Sequence, residues 1–185
     1  RDKCPTLEHL IIIGEEREGW TCKEIASAAA SDKFDRSMAP PTKAKDQMLI
    51  YFTSGTTSMP KMVARDHSYG LAHTITCNYW QGLRRDDIHW TLTDTGWAKA
   101  AWGIIFPPII AGAAIMLYDA AGFDAEMHLK LIEKYQVTTF CAPPTVYRLF
   151  AQMDVSGHDL SSIRHCIGAG EPLNPEAMRS WKAAT

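Results

Sequence analysis

The sequence is most informative at first for what it does not contain. No run of five or six like charges occurs, and 19 Lys and Arg against 21 Asp and Glu leave a net charge of −2. A general nucleic-acid binder or a protein drawn to an anionic membrane is therefore not expected. The five cysteines, Cys4, Cys22, Cys77, Cys141 and Cys166, are odd in number, widely spaced and without a C-x-x-C pair. This argues against a disulfide framework or a zinc knuckle and fits a reducing compartment. His73 and Cys77 stand i,i+4, but two further ligands are missing, so no metal site is assigned. Cys141 and Cys166 lie in apolar strand-like runs and read as buried structural thiols. No signal or transit-like stretch follows Arg1. The one stretch of nearly membrane-spanning length, uncharged from Ala100 to Tyr118, contains Gly103, Pro107, Pro108 and Gly112. These divide it into a short helix ending near Phe106 and a buried strand at Ala113–Leu117, so no transmembrane segment is expected.

What is present has the composition of a globular domain, with 46% hydrophobic and 22% charged residues. At this length roughly 70% of the unfolded surface can be buried, enough for a core without staples. Apolar strand-like runs alternate with helix-period segments, which predicts an α/β fold with a mainly parallel sheet and flanking helices. The predicted strands are Leu7–Ile13, Met48–Phe52, Met62–Ala64, Ile88–Leu92, Ala113–Leu117, Thr138–Ala142 and Arg164–Ala169. Helices are predicted at Cys22–Ala30, Ser68–Trp80, from about Gly96, at Ala125–Tyr135, at Thr145–Gln152 and after Pro172. The Pro-containing stretch Ser37–Lys45 is the one candidate linker.

The chemistry concentrates in Thr53-Ser54-Gly55-Thr56-Thr57-Ser58-Met59-Pro60-Lys61, directly after an apolar strand. Hydroxyls and backbone N–H groups donate to phosphate oxygens, Gly55 lets the backbone approach closely, and Lys61 adds a point charge. That set suits a polyphosphate. A Walker A loop fails on spacing, because Pro60 precedes Lys61 and Met62 follows it. A dinucleotide fingerprint fails as well, since Gly168-Ala169-Gly170 is followed by Leu173 where the third small residue belongs. No G-x-S-x-G nucleophile elbow occurs.

The loop resembles the phosphate-binding signature of the adenylate-forming superfamily, T-S-G-T-T-G-x-P-K, with Ser58 in place of the second glycine. Downstream, Trp90-Thr91-Leu92-Thr93-Asp94-Thr95-Gly96-Trp97-Ala98-Lys99 looks like the acyl-pocket segment of acetyl- and medium-chain acyl-CoA synthetases. Cys141-Ala142-Pro143-Pro144-Thr145-Val146-Tyr147-Arg148 and Gly168-Ala169-Gly170-Glu171-Pro172-Leu173-Asn174-Pro175-Glu176 are similar to further elements of that group. The resemblance runs from about Met48 to Thr185 and is nearest the medium-chain branch of the AMP-forming acyl-CoA synthetases.

The resemblance implies an acid–thiol ligase that uses ATP, Mg2+ and coenzyme A. A carboxylate would attack the α-phosphorus of ATP and release pyrophosphate, and the CoA thiol would then displace AMP. Thr53, Ser54, Gly55, Thr56, Thr57, Ser58, Met59, Pro60 and Lys61 would hold the β and γ phosphates, with Lys61 as the catalytic charge. Gly170, Glu171 and Pro172 would border the adenine, and Trp97, Ala98 and Ala169 the acyl chain. Ala98 and Ala169 stand where acetyl-specific relatives carry bulky β-branched residues, so a longer acid is expected. Read without the resemblance, Glu171 is a charge at a helix N-terminus, Trp97 a core aromatic and Lys99 a solvated helix residue. Relatives carry a magnesium-binding Glu, a ribose-binding Asp and a C-terminal domain with a lysine beyond the segment matched here. Residues 1–185 are accordingly expected to be an incomplete N-terminal adenylation domain without the C-terminal domain, inactive alone. The partners implied are a small carboxylic acid, ATP and CoA, with no nucleic acid and an unspecified oligomeric state. The expected location is intracellular, cytoplasmic in a prokaryote and the mitochondrial matrix in a eukaryote. A non-catalytic nucleotide-binding module, or an adenylating ligase for acetate or an amino acid, stays open at this point.

Overall fold

The computed structural model describes Pro5 and residues 10–14, 16–22, 37, 39–53, 59–120 and 122–185. It divides into two compact units, Arg1–Thr42 and Lys43–Thr185, with the boundary inside the Pro-containing stretch. In the first unit β1 (Ile11–Ile12) pairs in parallel with β2 (Thr21–Cys22), Ile12 opposite Cys22. Cys22 is thus a strand residue rather than the start of a helix, because ladder pairing with Ile12 outweighs the alanine-rich pattern that follows. The remainder of that predicted helix, residues 23–30, and the beginning of the first predicted strand, residues 7–9, lie outside the described residues.

The second unit opens with a hairpin of β3 (Gln47–Thr53) and β4 (Lys61–Asp66), antiparallel and separate from the main sheet. The main sheet has four strands, β5 (Ile88–Thr91), β6 (Ala114–Met116), β7 (Thr139–Ala142) and β8 (His165–Gly168), in the order β6-β5-β7-β8 and all parallel. β7 is buried at every position, as a central parallel strand covered on both faces should be.

Helix α1 (Ser68–Thr76) starts where the Asp66 carboxylate accepts the Ser68 N–H at 3.0 Å. It runs on as a π-helical turn at Cys77–Gln81 and stops at Gly82, whose φ of +57° suits a residue without a side chain. After β5, a single turn of α2 (Ala98–Ala100) passes into a second π turn at Ala101–Ile105 and then into α3 (Phe106–Ala111). The helix therefore does not end near Phe106, as the paired prolines predict. The reason lies in the hydrogen bonds. Phe106 N–H reaches back to Ala101 O, so Trp102 O is released and accepts the Gln81 side-chain amide at 2.7 Å. Pro107 has no N–H to offer Gly103 O, and that carbonyl is met instead by His89 Nε2 at 3.0 Å and Thr91 Oγ1 at 3.1 Å. Proline's two costs in a helix interior, a missing donor and a crowded carbonyl, are both relieved by the π register.

α4 (Ala125–Tyr135) matches its predicted bounds because both ends carry their own signals. Asp124 Oδ1 accepts Met127 N–H at 3.1 Å, and Gln136 closes the helix in the left-handed conformation. α5 (Pro144–Phe150) and α6 (Pro175–Ala184) both begin with proline in the first turn. With α4 they cover one face of the sheet, and Trp90, Leu129, Ile132, Phe140, Phe150 and Trp181 form its core. Phe150 and Trp181 stack at 4.9 Å and 20°. No helix among the described residues is long and apolar enough to cross a membrane.

Candidate active site

The two ends of the hydroxyl-rich loop are opposite each other. Thr53, the last residue of β3, is the ladder partner of Lys61, the first of β4. Ladder pairing therefore delivers both loop ends to one place, with the lysine at the mouth. Ser54 to Ser58 lie outside the described residues. Met59 is 85% exposed, and Pro60 and Lys61 are exposed beside it. No described residue offers the Lys61 ammonium a hydrogen bond or an ion pair, so its charge faces outward. Below the loop, Tyr51 is packed edge-on to Tyr69 at 6.1 Å, and burial with the Tyr69 hydroxyl pushes its own hydroxyl up to about 12.

The segment after β5 is shaped by Asp94. Its Oδ1 accepts Gly96 N–H at 2.6 Å and its carbonyl accepts Trp97 N–H at 3.2 Å, a side-chain-closed turn that leads into α2. Trp97 caps that helix and is 72% exposed, so it is not a core aromatic. Ala98 is exposed and Ala169 half-buried. Lys99 is not the solvated residue that its position on a short helix predicts. It is half-buried, its ammonium lies 6.0 Å from the Trp102 ring centre, and burial lowers its proton affinity, with partial compensation from Cys141. The matching burial of Cys141 pushes that thiol up. Periodicity alone could not find this, because the π turn displaces the face on which Lys99 is counted.

At the end of β8, Gly170 adopts a φ of +117°, which favours glycine and turns the chain into Glu171. Glu171 is outside the first turn of α6, where Glu176 stands, so it does not serve the helix dipole. Its carboxylate instead accepts Arg148 Nη2 at 2.5 Å. Both side chains are partly exposed, and such a pair is worth roughly 0.2–1 kcal/mol. Arg148 is the partner that the sequence reading left without a role. Glu171 and Gly168 border a cavity of about 840 Å3 that also meets Tyr147, Arg164 and Trp181. A second cavity, of about 920 Å3, opens where the strands β5, β6 and β7 end. Trp97, Ala98 and Ala169 line neither.

His73 and Cys77 do not converge on a metal. His73 Nδ1 is 3.2 Å from Thr76 Oγ1, and Cys77 Sγ donates to Pro107 O at 3.3 Å. Among the described residues no three His, Cys, Asp or Glu side chains gather in a way that would hold a cation. The described residues therefore do not form a magnesium site.

The profile of the family described as "AMP-binding enzyme" matches residues 1–185. The chain belongs to this family. It is 39% identical over 99% of its length to the mitochondrial acyl-coenzyme A synthetase ACSM3 of Rattus norvegicus, and 37% identical over 99% to the mitochondrial acyl-coenzyme A synthetase ACSM4 of Homo sapiens. The chain spans 31% of the length of each. Among solved structures it superposes on the anthranilate CoA ligase AuaEII, a complex with anthranoyl-AMP, with a TM-score of 0.84 and 30% identity. That match covers 98% of this chain and 35% of the ligase. An acyl-CoA synthetase of Brucella canis follows at a TM-score of 0.77 and 31% identity, with 92% and 31% covered. These neighbours have the same α/β architecture, a parallel sheet with flanking helices.

Proposed function

We propose that this chain is the phosphate- and adenine-contacting part of an AMP-forming acid:CoA ligase that activates a medium-chain carboxylic acid. The observation that carries the proposal is the β3–β4 ladder, which sets Lys61 opposite Thr53 at the mouth of the hydroxyl-rich loop. In the first step the acid's carboxylate oxygen bonds to the α-phosphorus of ATP and the bond to pyrophosphate breaks. Negative charge gathers on the departing phosphates, and Thr53 to Lys61 are assigned to hold it. Preorganised donors of this kind supply much of the stabilisation in phosphoryl chemistry. In the second step the CoA sulfur bonds to the acyl carbon and AMP leaves.

Gly170, Glu171 and Pro172 are assigned to the adenine. The Arg148 ion pair fixes Glu171, which leaves the Gly170 turn as the flat edge against which a base can lie. Trp97, Ala98 and Ala169 are assigned to the acyl chain, where the two alanines leave room for several more carbons than acetate. Magnesium would accompany ATP and be held by residues other than those described. We place the activity inside the cell, in the mitochondrial matrix if the source is eukaryotic, as the names of the curated relatives support, and in the cytoplasm if it is prokaryotic.

The test is ATP–pyrophosphate exchange with Lys61→Ala, made in the complete reading frame that carries this chain, together with a panel of straight-chain acids from acetate to dodecanoate. The expected loss of exchange is at least tenfold, with stability unchanged within about 0.5 kcal/mol, as for an exposed surface position. Exchange at the unmodified rate, or acetate as the best acid, overturns the assignment.

A further inference from the structure

The ion pair between Arg148 and Glu171 uses half of a carboxylate. Glu171 Oε1 accepts Arg148 Nη2 at 2.5 Å, and no described residue bonds to Oε2. Arg148 comes from the last turn of α5, whereas Glu171 follows the Gly170 turn after β8, so the bond joins two separate elements. Of the two, only Glu171 borders the cavity of about 840 Å3, and it is the one carboxylate side chain among the described residues that line it. Arg148 thus restrains from outside the cavity a side chain that belongs to its wall.

Both partners are partly exposed, and a pair of that kind adds little to stability. Its effect is on direction. A free glutamate at the surface samples many rotamers, and a bond on Oε1 removes most of them in advance of any ligand. What remains is a held acceptor, because an ionised carboxylate has no hydrogen to donate. An adenine presents an amino group at purine position 6, which donates, whereas a guanine presents a carbonyl oxygen there, which only accepts. A fixed acceptor therefore favours the first base and opposes the second, and sites that pair with a donor reject the analogue that lacks it.

We infer that Arg148 makes the site selective for a 6-amino purine, by holding Glu171 so that Oε2 receives the amino group of adenine and opposes a 6-carbonyl. Arg148 is a positioning residue, since it acts through Glu171. The inference rests on the assignment of Glu171 to the adenine under the proposed function.

Three nucleotides that differ at purine position 6 test it on the complete reading frame that carries this chain. They are ATP, purine riboside triphosphate, which has hydrogen there, and inosine triphosphate, which has oxygen. Calorimetric titration measures binding, and pyrophosphate exchange measures turnover. The unmodified protein should bind ATP about tenfold more tightly than inosine triphosphate, with purine riboside triphosphate between them. Arg148→Ala should bring that ratio below about threefold and raise the KM for ATP more than it lowers kcat. Arg148→Lys keeps the cation without the planar fork and should restore part of the ratio. Glu171→Gln presents a donor as well as an acceptor and should bring the ratio close to one. If Arg148→Ala does not fold, the unmodified protein and Glu171→Gln decide. An arginine of purely structural value would weaken all three nucleotides alike, and that result overturns the inference, as does equal binding of ATP and inosine triphosphate by the unmodified protein. Selective binding without pyrophosphate exchange would overturn the ligase reading and leave this one standing, exchange that runs equally well with inosine triphosphate would do the reverse, and no nucleotide binding would overturn both.

Discussion

The two edges of the parallel sheet contrast sharply. At the amino edge, just before β5, β7 and β8, the chain is tied by one buried carboxylate. Asp87 accepts from Arg164 Nε at 2.9 Å, from Thr138 Oγ1 at 2.7 Å and from the Arg84 N–H at 2.7 Å, with a further contact to Arg164 Nη2. Burial pushes this carboxyl upward, and the bonds from Arg164, Thr138 and Arg84 outweigh it and hold it below the usual range. Arg164 Nη2 also reaches Gly82 O at 2.7 Å, so the end of the first π turn joins the same network. At the carboxyl edge the strands β5, β6 and β7 run into loops and the second cavity, and Lys99 nearby is a half-buried charge without a carboxylate partner. The difference shows where this fold spends its rigidity. Donors and acceptors are matched at the base, which fixes strand register, and are left unmatched at the mouth, where a ligand can supply the missing half.

The base should be the more fragile edge. Asp87→Ala removes the one buried acceptor of the network and leaves the half-buried Thr138 and the more exposed Arg164 without it, which should cost about 2–3 kcal/mol, against about 1 kcal/mol or less for Asp94→Ala in the exposed turn. Urea unfolding of both variants checks this, and equal losses would erase the contrast. Acid supplies an effect of similar size. His89 is 1% exposed, and burial depresses its proton affinity to about 4 from an ordinary 6.5, with the Gly103 carbonyl and Asp87 working the other way. The folded form therefore binds the proton more weakly than the unfolded chain. Its contribution is complete above about pH 6.5 and falls away as the pH drops towards 4, by on the order of 3 kcal/mol in all. His89→Gln should flatten that part of the stability curve.

Gly103 tests how closely the π turn rests on β5. A Cβ there would stand 2.6 Å from Thr91 Cγ2, and Thr91 is held by its own bond to Gly103 O. Gly103→Ala should cost about 1–3 kcal/mol, and adding Thr91→Ser, which deletes the clashing methyl, should restore part of it. The smallest effect should have the opposite sign. Lys99→Met removes a half-buried charge that has no carboxylate partner and should raise the unfolding midpoint slightly, by under about 1 kcal/mol. A loss of that size instead would mean that the contact with Trp102 outweighs the cost of burial.

Legibility from the sequence followed the same division. β5 and β7 are readable because strands covered on both faces are apolar runs, and α4 because Asp124 and Gln136 mark its ends. The hairpin ladder that joins Thr53 to Lys61 was not, since two strand-like runs do not announce whether they pair with each other or with the main sheet. Helix bounds around Pro107 and Pro108 were misread because the compensating groups, His89, Thr91 and Gln81, come from elsewhere in the chain. The same reason hid the burial of Lys99 and the Arg148–Glu171 pair, each of which depends on long-range packing.

The π turn at Ala101–Ile105 also acts as a phase shifter. Each residue of a helix advances the side-chain direction by about 100°, and a turn closed over five residues rather than four carries one extra step. Phe106 enters its aromatic stack on that account, with its ring parallel to His73 at 5.7 Å and 5° and edge-on to Tyr69 at 5.7 Å. Deletion of a single residue between Ala101 and Ile105 would return Pro107 and Pro108 to the α register, with its missing donor and crowded carbonyl, and rotate Phe106 away from both rings. In this segment the count of residues, more than their kind, is what aligns the two halves of the helix.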